Sequence, residues 1–133
     1  MSGYADVHNQ SLNIVSAGTM AVGTTYYYWF RSPTAVNGGG ITVLSAYITD
    51  PTAHAAGSAP LFRLLTYSGG GTPAVAGTIA AAGTLTAAGT PEALTISTAF
   101  VDANEWVVCE VAGTAASSVS TNTIVSLQYV MGY

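Results

Sequence analysis

Runs rich in β-branched and aromatic residues, each closed by glycine, proline, asparagine or aspartate, recur along this chain every ten to eighteen residues or so. Helical periodicity is hard to find. The runs predict about eight strands: 12–17, 25–31, 41–48, 61–67, 75–80, 93–98, 106–111 and 123–131. The breaks between them carry turn chemistry, as in Asn37-Gly38-Gly39-Gly40, Asp50-Pro51, Ser68-Gly69-Gly70-Gly71 and Asp102-Ala103-Asn104. Glycine supplies positive φ there, and Asp or Asn hydrogen-bonds its own backbone. Within the strands, Leu94, Ile96 and Thr98 share one face, as do Val125, Leu127, Tyr129 and Met131. So many short strands in 133 residues predict an all-β antiparallel β-sandwich, jelly-roll-like. One domain over 1–133 accounts for the length, with 1–11 set aside as an N-terminal arm.

The pair Gly-Thr recurs, and from Gly71 to Gly89 it returns every six residues, the period of a left-handed β-helix. The repeat covers too little of the chain to stack several coils. Glycine closing a turn and threonine opening the next strand explains it.

Charge is the next constraint. Only 6% of residues are charged, against about 25% in an ordinary soluble domain. A folded chain of this mass exposes on the order of 6,500 Å², or one charge per roughly 800 Å². Free monomers usually intersperse more charge than that, so neighbouring subunits are expected to cover part of the surface. Arg31 and Arg63 are the only basic residues besides two histidines, and the net charge is −4. Counterion release at nucleic acid needs several cationic contacts, as does an anionic membrane surface, so neither partner is expected. Cys109 is the only cysteine, which excludes an intrachain disulfide. The start, Met1-Ser2-Gly3-Tyr4-Ala5-Asp6, has neither a basic n-region nor an apolar h-region, and synthesis in a cytoplasm without export is the expectation.

No nucleophile elbow, phosphate loop, dinucleotide glycine pattern or His-Glu-x-x-His helix occurs, so no catalytic residue, cofactor or enzyme activity is assigned. His8 and His54 stand apart and read as loop or edge residues; Cys109 reads as a small hydrophobe in a core strand. Asp102, Asn104 and Glu105 could offer oxygens to calcium, but a turn entering a strand explains them better, and no metal is assigned. The unusual local feature is Tyr26-Tyr27-Tyr28-Trp29-Phe30. Strict alternation sends Tyr26, Tyr28 and Phe30 one way and Tyr27, Trp29 and Arg31 the other. Only one set can face the core; Tyr27, Trp29 and Arg31 are assigned to a subunit interface, because Trp, Tyr and Arg dominate interface hot spots.

A chain rich in Ala, Gly, Thr and Ser, with segments such as Gly38-Gly39-Gly40-Ile41-Thr42-Val43 and Phe100-Val101-Asp102-Ala103-Asn104-Glu105-Trp106-Val107-Val108, resembles small β-sandwich virion proteins of tailed bacteriophages. The likeness to the capsid decoration, or cement, type runs from about Leu12 to Met131. It implies a structural protein on the capsid exterior, bound to the major capsid protein lattice as a homo-oligomer, with a trimer favoured. Tail-fibre tips share the texture, and a carbohydrate- or receptor-binding β-sandwich module is the alternative.

Overall fold

The computed structural model describes residues 7–14, 18–19, 23–34, 39–49, 61–68, 77–84, 91–113, 118–119 and 123–132. They form eleven strands in chain order: β1 (His8–Ile14), β2 (Gly18–Thr19), β3 (Gly23–Arg31), β4 (Ile41–Thr49), β5 (Leu61–Tyr67), β6 (Gly77–Thr84), β7 (Glu92–Ala93), β8 (Phe100–Val101), β9 (Trp106–Gly113), β10 (Ser118–Val119) and β11 (Thr123–Met131). No helix of the described residues is long and apolar enough to cross a membrane.

The strands make a β-sandwich of two antiparallel sheets. One runs β1-β11-β4-β7, with β8 also on β4; the other runs β3-β9-β5-β6; β2 and β10 form a short ribbon. The pairing register explains the architecture. His8 pairs with Tyr129, Thr19 with Ser118 and Gly23 with Gly113. Each step forward in the first segment is therefore matched, to within one residue, by a step back in the last. Likewise Thr49 pairs with Ile124 and Leu61 with Ala112. The described strands thus pair as two sets of antiparallel ribbons, the first segment against the last and β4–β5 against β11–β9, each contributing strands to both sheets.

Between the sheets lies one core. The first sheet gives Ile41, Val43, Ala46, Ile48, Val125, Leu127 and Tyr129, and the second gives Phe62, Leu64, Val107, Cys109 and Val111. The period-two burial of β4 and β11 is the alternation expected of strands with one buried face. Each fully buried Val, Leu, Ile or Phe among them contributes about 1.5–3 kcal/mol by leaving water. Tyr129 is held at the core margin, its ring stacked on His8 at 5.3 Å and on Phe30 at 5.6 Å. The Gln10 side-chain amide donates to its hydroxyl at 3.4 Å.

Each of the eight expected strands has a counterpart, residues 15–17 of the first lying outside the described residues, whereas the short β2 and β10 are unexpected; three of the eight differ in their bounds. β1 begins at His8, so residues 8–11 of the expected arm are paired backbone, whereas residues 1–6 lie outside the described residues. Asn, Gln and Ser are poor strand formers, and pairing with β11 overrides them. The expected strand 75–80 is seen as Gly77–Thr84, with 75–76 outside the described residues; pairing with β5 carries the alanines along. The expected strand 93–98 shrinks to Glu92–Ala93, and Phe100–Val101 forms β8 instead. The cause lies in β4, where Leu44 is an extra residue between the pairs Ser45–Gln128 and Val43–Tyr129. That bulge breaks the ladder on both sides, although the Leu94 amide still donates to Ala46 O and the Val43 amide to Ala99 O, at 2.9 and 2.7 Å. His54 and the turns at 37–38, 50–51 and 69–71 lie outside the described residues.

Gly40 sits where four segments meet. Its amide donates to Pro33 O at 2.8 Å and its carbonyl accepts from the Gly132 amide at 2.9 Å. Its φ of +83° is in the left-handed region, and a Cβ there would lie 2.6 Å from Val101 O.

Candidate interaction face

The aromatic run occupies β3, the edge strand next to β9. Tyr28 pairs with Val108 and Phe30 with Val107, so Trp29 is an inserted residue and two residues of β3 oppose one of β9. Such a bulge shifts the alternation by one position. Tyr27, Trp29 and Phe30 consequently all pack against the main core, and Arg31 returns to the outer face. The grouping expected from strict alternation is corrected here. Tyr27 and Trp29 are core-facing, and only Arg31 of that set lies on the outer side.

On that outer side the register lines up three rungs across β3, β9 and β5: Arg31–Trp106–Tyr67, Tyr28–Val108–Leu65 and Tyr26–Glu110–Arg63. In the first, the Arg31 guanidinium lies 5.9 Å from the Trp106 ring centre and donates from Nη2 to Asn104 Oδ1 at 2.7 Å. In the middle rung, Leu65 and Val108 are buried beneath the aromatics, together with Tyr67. The Tyr28 ring leans over them, 5.8 Å from Tyr67 and 5.9 Å edge-on to Trp106, while remaining 44% exposed. These separations suit the tilted and edge-to-face pairs that add about 0.5–1.5 kcal/mol beyond burial. The last rung is ionic: Arg63 donates from Nε and Nη2 to the two Glu110 oxygens at 2.9 and 3.0 Å. That two-point hydrogen bond, with the carboxylate charge beside it, raises the Arg63 pKa. Around Tyr28, loss of water and then the nearby Tyr67 and Tyr26 hydroxyls push the phenol above its ordinary value. The ring therefore stays a neutral donor across the physiological range.

The turn that feeds Trp106 into this face is a built one. Asn104 takes a left-handed φ of 69°, which asparagine tolerates. Its amide donates to Ser32 O, and the Ser32 amide donates to Glu105 O. The turn thereby ties β9 to the end of β3 and holds Arg31 over Trp106. Burial, with Asp102 close by, raises the Glu105 carboxyl, and a hydrogen bond with Thr66 partly offsets this. Asn104 Oδ1 accepts from Arg31, and among the described residues no three of His, Cys, Asp and Glu converge as a metal site. His8 sits on the edge strand β1, and Cys109 is fully buried in the core with its thiol pushed up to about 12 by desolvation. A thiol in that state is protonated and inert.

Comparison with protein-family models, with curated proteins and with solved structures gave no match. The functional reading rests on this face and on the charge distribution around it. The composition pointed to aromatic residues at an interface; which alternating set of the run faces the core is settled by pairing with β9, and nothing in the run marks the inserted residue that sends Phe30 inward as well. Trp106 and Tyr67 lie in strands the sequence does predict, and the missed signal was their shared outward phase opposite Val107 and Phe62.

Proposed function

We propose that this chain is a structural virion protein, a capsid decoration or cement subunit that binds the outer surface of a phage head lattice and works as a homo-oligomer. The observation that carries the reading is the grid of Tyr26, Tyr28 and Trp106 on the outside of the second sheet, above the buried Tyr67, Leu65 and Val108, in a domain almost without charge. The folded chain exposes 6733 Å². Eight charged side chains serve that surface, and two of them, Arg63 and Glu110, neutralise each other. A partner that covers the grid removes aromatic area from water; of the three charges on this face, Arg63 and Glu110 are already paired with each other and Arg31 stays over Trp106 as a donor at the rim. Tyr, Trp and Arg together are the composition of a binding hot spot. Nucleic acid is a poor partner, since Arg63 is already engaged by Glu110 and phosphate binding needs several cations.

Cosedimentation with heads tests the reading. Attachment should survive 1 M sodium chloride, where the Debye length is about 3 Å and ionic contacts are screened. Trp106→Ala should weaken it at least about thirtyfold, the effect of losing about 2 kcal/mol of an anchor. Release in moderate salt, together with unaltered binding by Trp106→Ala, would sink it.

A second reading has an observation of its own. The Tyr28 and Trp106 rings stand at 80° beside the Arg31 and Asn104 polar groups. An apolar ring surface flanked by donors also suits a pyranose, as a carbohydrate- or receptor-binding module would require. Glycan-array binding that disappears in Trp106→Ala, with no affinity for heads, would favour it.

A further inference from the structure

We infer that the outer edge of β1, which carries no neighbour among the described residues, is a self-association site, at which a second copy of this chain pairs antiparallel about Ser11 to form a twofold dimer with one continuous sheet. An uncovered strand edge is a template for pairing, and proteins blunt such edges with charge, proline, bulges or shortness. Among the described residues the sandwich has four edges, and three are blunted. β3 is broken by the Trp29 insertion and ends in Arg31. β6 pairs with β5 through two register shifts. β7 and β8 are two residues each. β1 has none of these devices. Its seven residues, His-Asn-Gln-Ser-Leu-Asn-Ile, contain no Asp, Glu, Lys, Arg or proline. They pair with β11 without a break in register from His8 to Ile14, and no described strand lies on the other side.

The occupant is argued from the strand's own symmetry. Antiparallel pairing of β1 with itself about its central residue sets Ser11 against Ser11, Asn9 against Asn13 and Gln10 against Leu12 of the other copy. Asn9, Ser11 and Asn13 are exposed, so the outer row becomes amides and hydroxyls that can hydrogen-bond across the strands. No charge meets a like charge at any rung. Alternate residues of a strand direct both backbone groups outward, so the pair forms about six to eight new backbone hydrogen bonds. The rows it joins are uncharged as well: Ser11 lies beside Ser126, which lies beside Tyr47. A contact of this size belongs to the small, reversible class of interface. Its twofold symmetry gives a dimer and cannot itself close a trimer.

The test uses the whole chain in solution and is independent of any head or glycan. Light scattering at about 100 µM, a concentration suited to a micromolar contact, should give twice the 13.4 kDa chain mass. Ser11→Lys and Ser11→Glu each place like charges opposite one another on the axis. Each should raise the dissociation constant at least about tenfold without altering the circular dichroism spectrum. Mixing the two variants should restore dimer as a heterodimer. That rescue separates pairing at β1 from a general loss of fold. A monomer or trimer mass for the unmodified chain, or a Ser11→Lys variant that dimerises as before, would overturn the assignment.

Discussion

Gly40→Ala should destabilise the domain by about 2–5 kcal/mol, and the size follows from two separate causes. Gly40 has φ +83°, and an L-residue held in the left-handed region costs about 1–2 kcal/mol. The new Cβ would then lie 2.6 Å from Val101 O and 2.7 Å from the Phe100 ring. The ring edge can give way, but the carbonyl belongs to β8, where Val101 pairs with Ile41. Moving it loosens that ladder and the Gly40 contacts with Pro33 and Gly132. Overpacking of this kind typically costs a further 1–3 kcal/mol or so. For a domain of this length the total is a drop in Tm of roughly 8–20 °C. Urea unfolding followed by tryptophan fluorescence, with unchanged m-value, measures the loss. A cost below about 1 kcal/mol would mean that the four segments do not meet around Gly40 as described, and the closure of the sandwich at that end would have to be redrawn.

Cys109 should resist thiol reagents until the protein unfolds. Its folded pKa of about 12 exceeds the ordinary 9.0, so its share of stability is complete below pH 9 and is lost as pH rises toward 12. At pH 10.5 the loss should be about 2 kcal/mol relative to pH 8, and a Cys109→Ala variant, compared by urea titration at both values, should lack that component. Arg63→Ala should cost about 1–2 kcal/mol in thermal unfolding because it leaves the mostly buried Glu110 carboxylate unpaired, the partial exposure of Arg63 holding the value down. Replacing both partners by methionine should recover most of that; an equal or larger loss in the double variant would contradict the pairing argument. Phe62→Ala should cost about 3–5 kcal/mol, whereas Tyr28→Ala should cost only about 1–2 kcal/mol by chemical denaturation, because Phe62 is fully buried while Tyr28 is 44% exposed and loses chiefly its two ring contacts.

The sandwich was legible because its strands announce themselves by composition and by the turns between them. Val125, Leu127 and Tyr129 alternate in sequence and line the core, and Leu94 joins them. What could not be read were the bulges at Leu44 and Trp29. Leu44 and Trp29 are ordinary strand formers, and their insertion is visible only against the partner strands. The first shortened the expected strand at 93–98. The second sent Phe30 inward and Arg31 outward, while the register with β9 had already set Tyr27 inward and Tyr28 outward, so that the outer grid rests on Tyr26, Tyr28 and Trp106 above the buried Tyr67. His8 to Ser11 carry side chains with little strand preference, yet the backbone supplies their pairing with β11. Propensity describes how a side chain fits a surface, and β11 provides that surface only in the fold.

Electron microscopy of heads from particles assembled with this chain tests the proposed function most directly. Density for the sandwich on the outer capsid surface is expected, with Tyr28 and Trp106 of the second sheet against the shell. Heads that lack the chain, or that carry it with this aromatic face turned to solvent, would contradict the account.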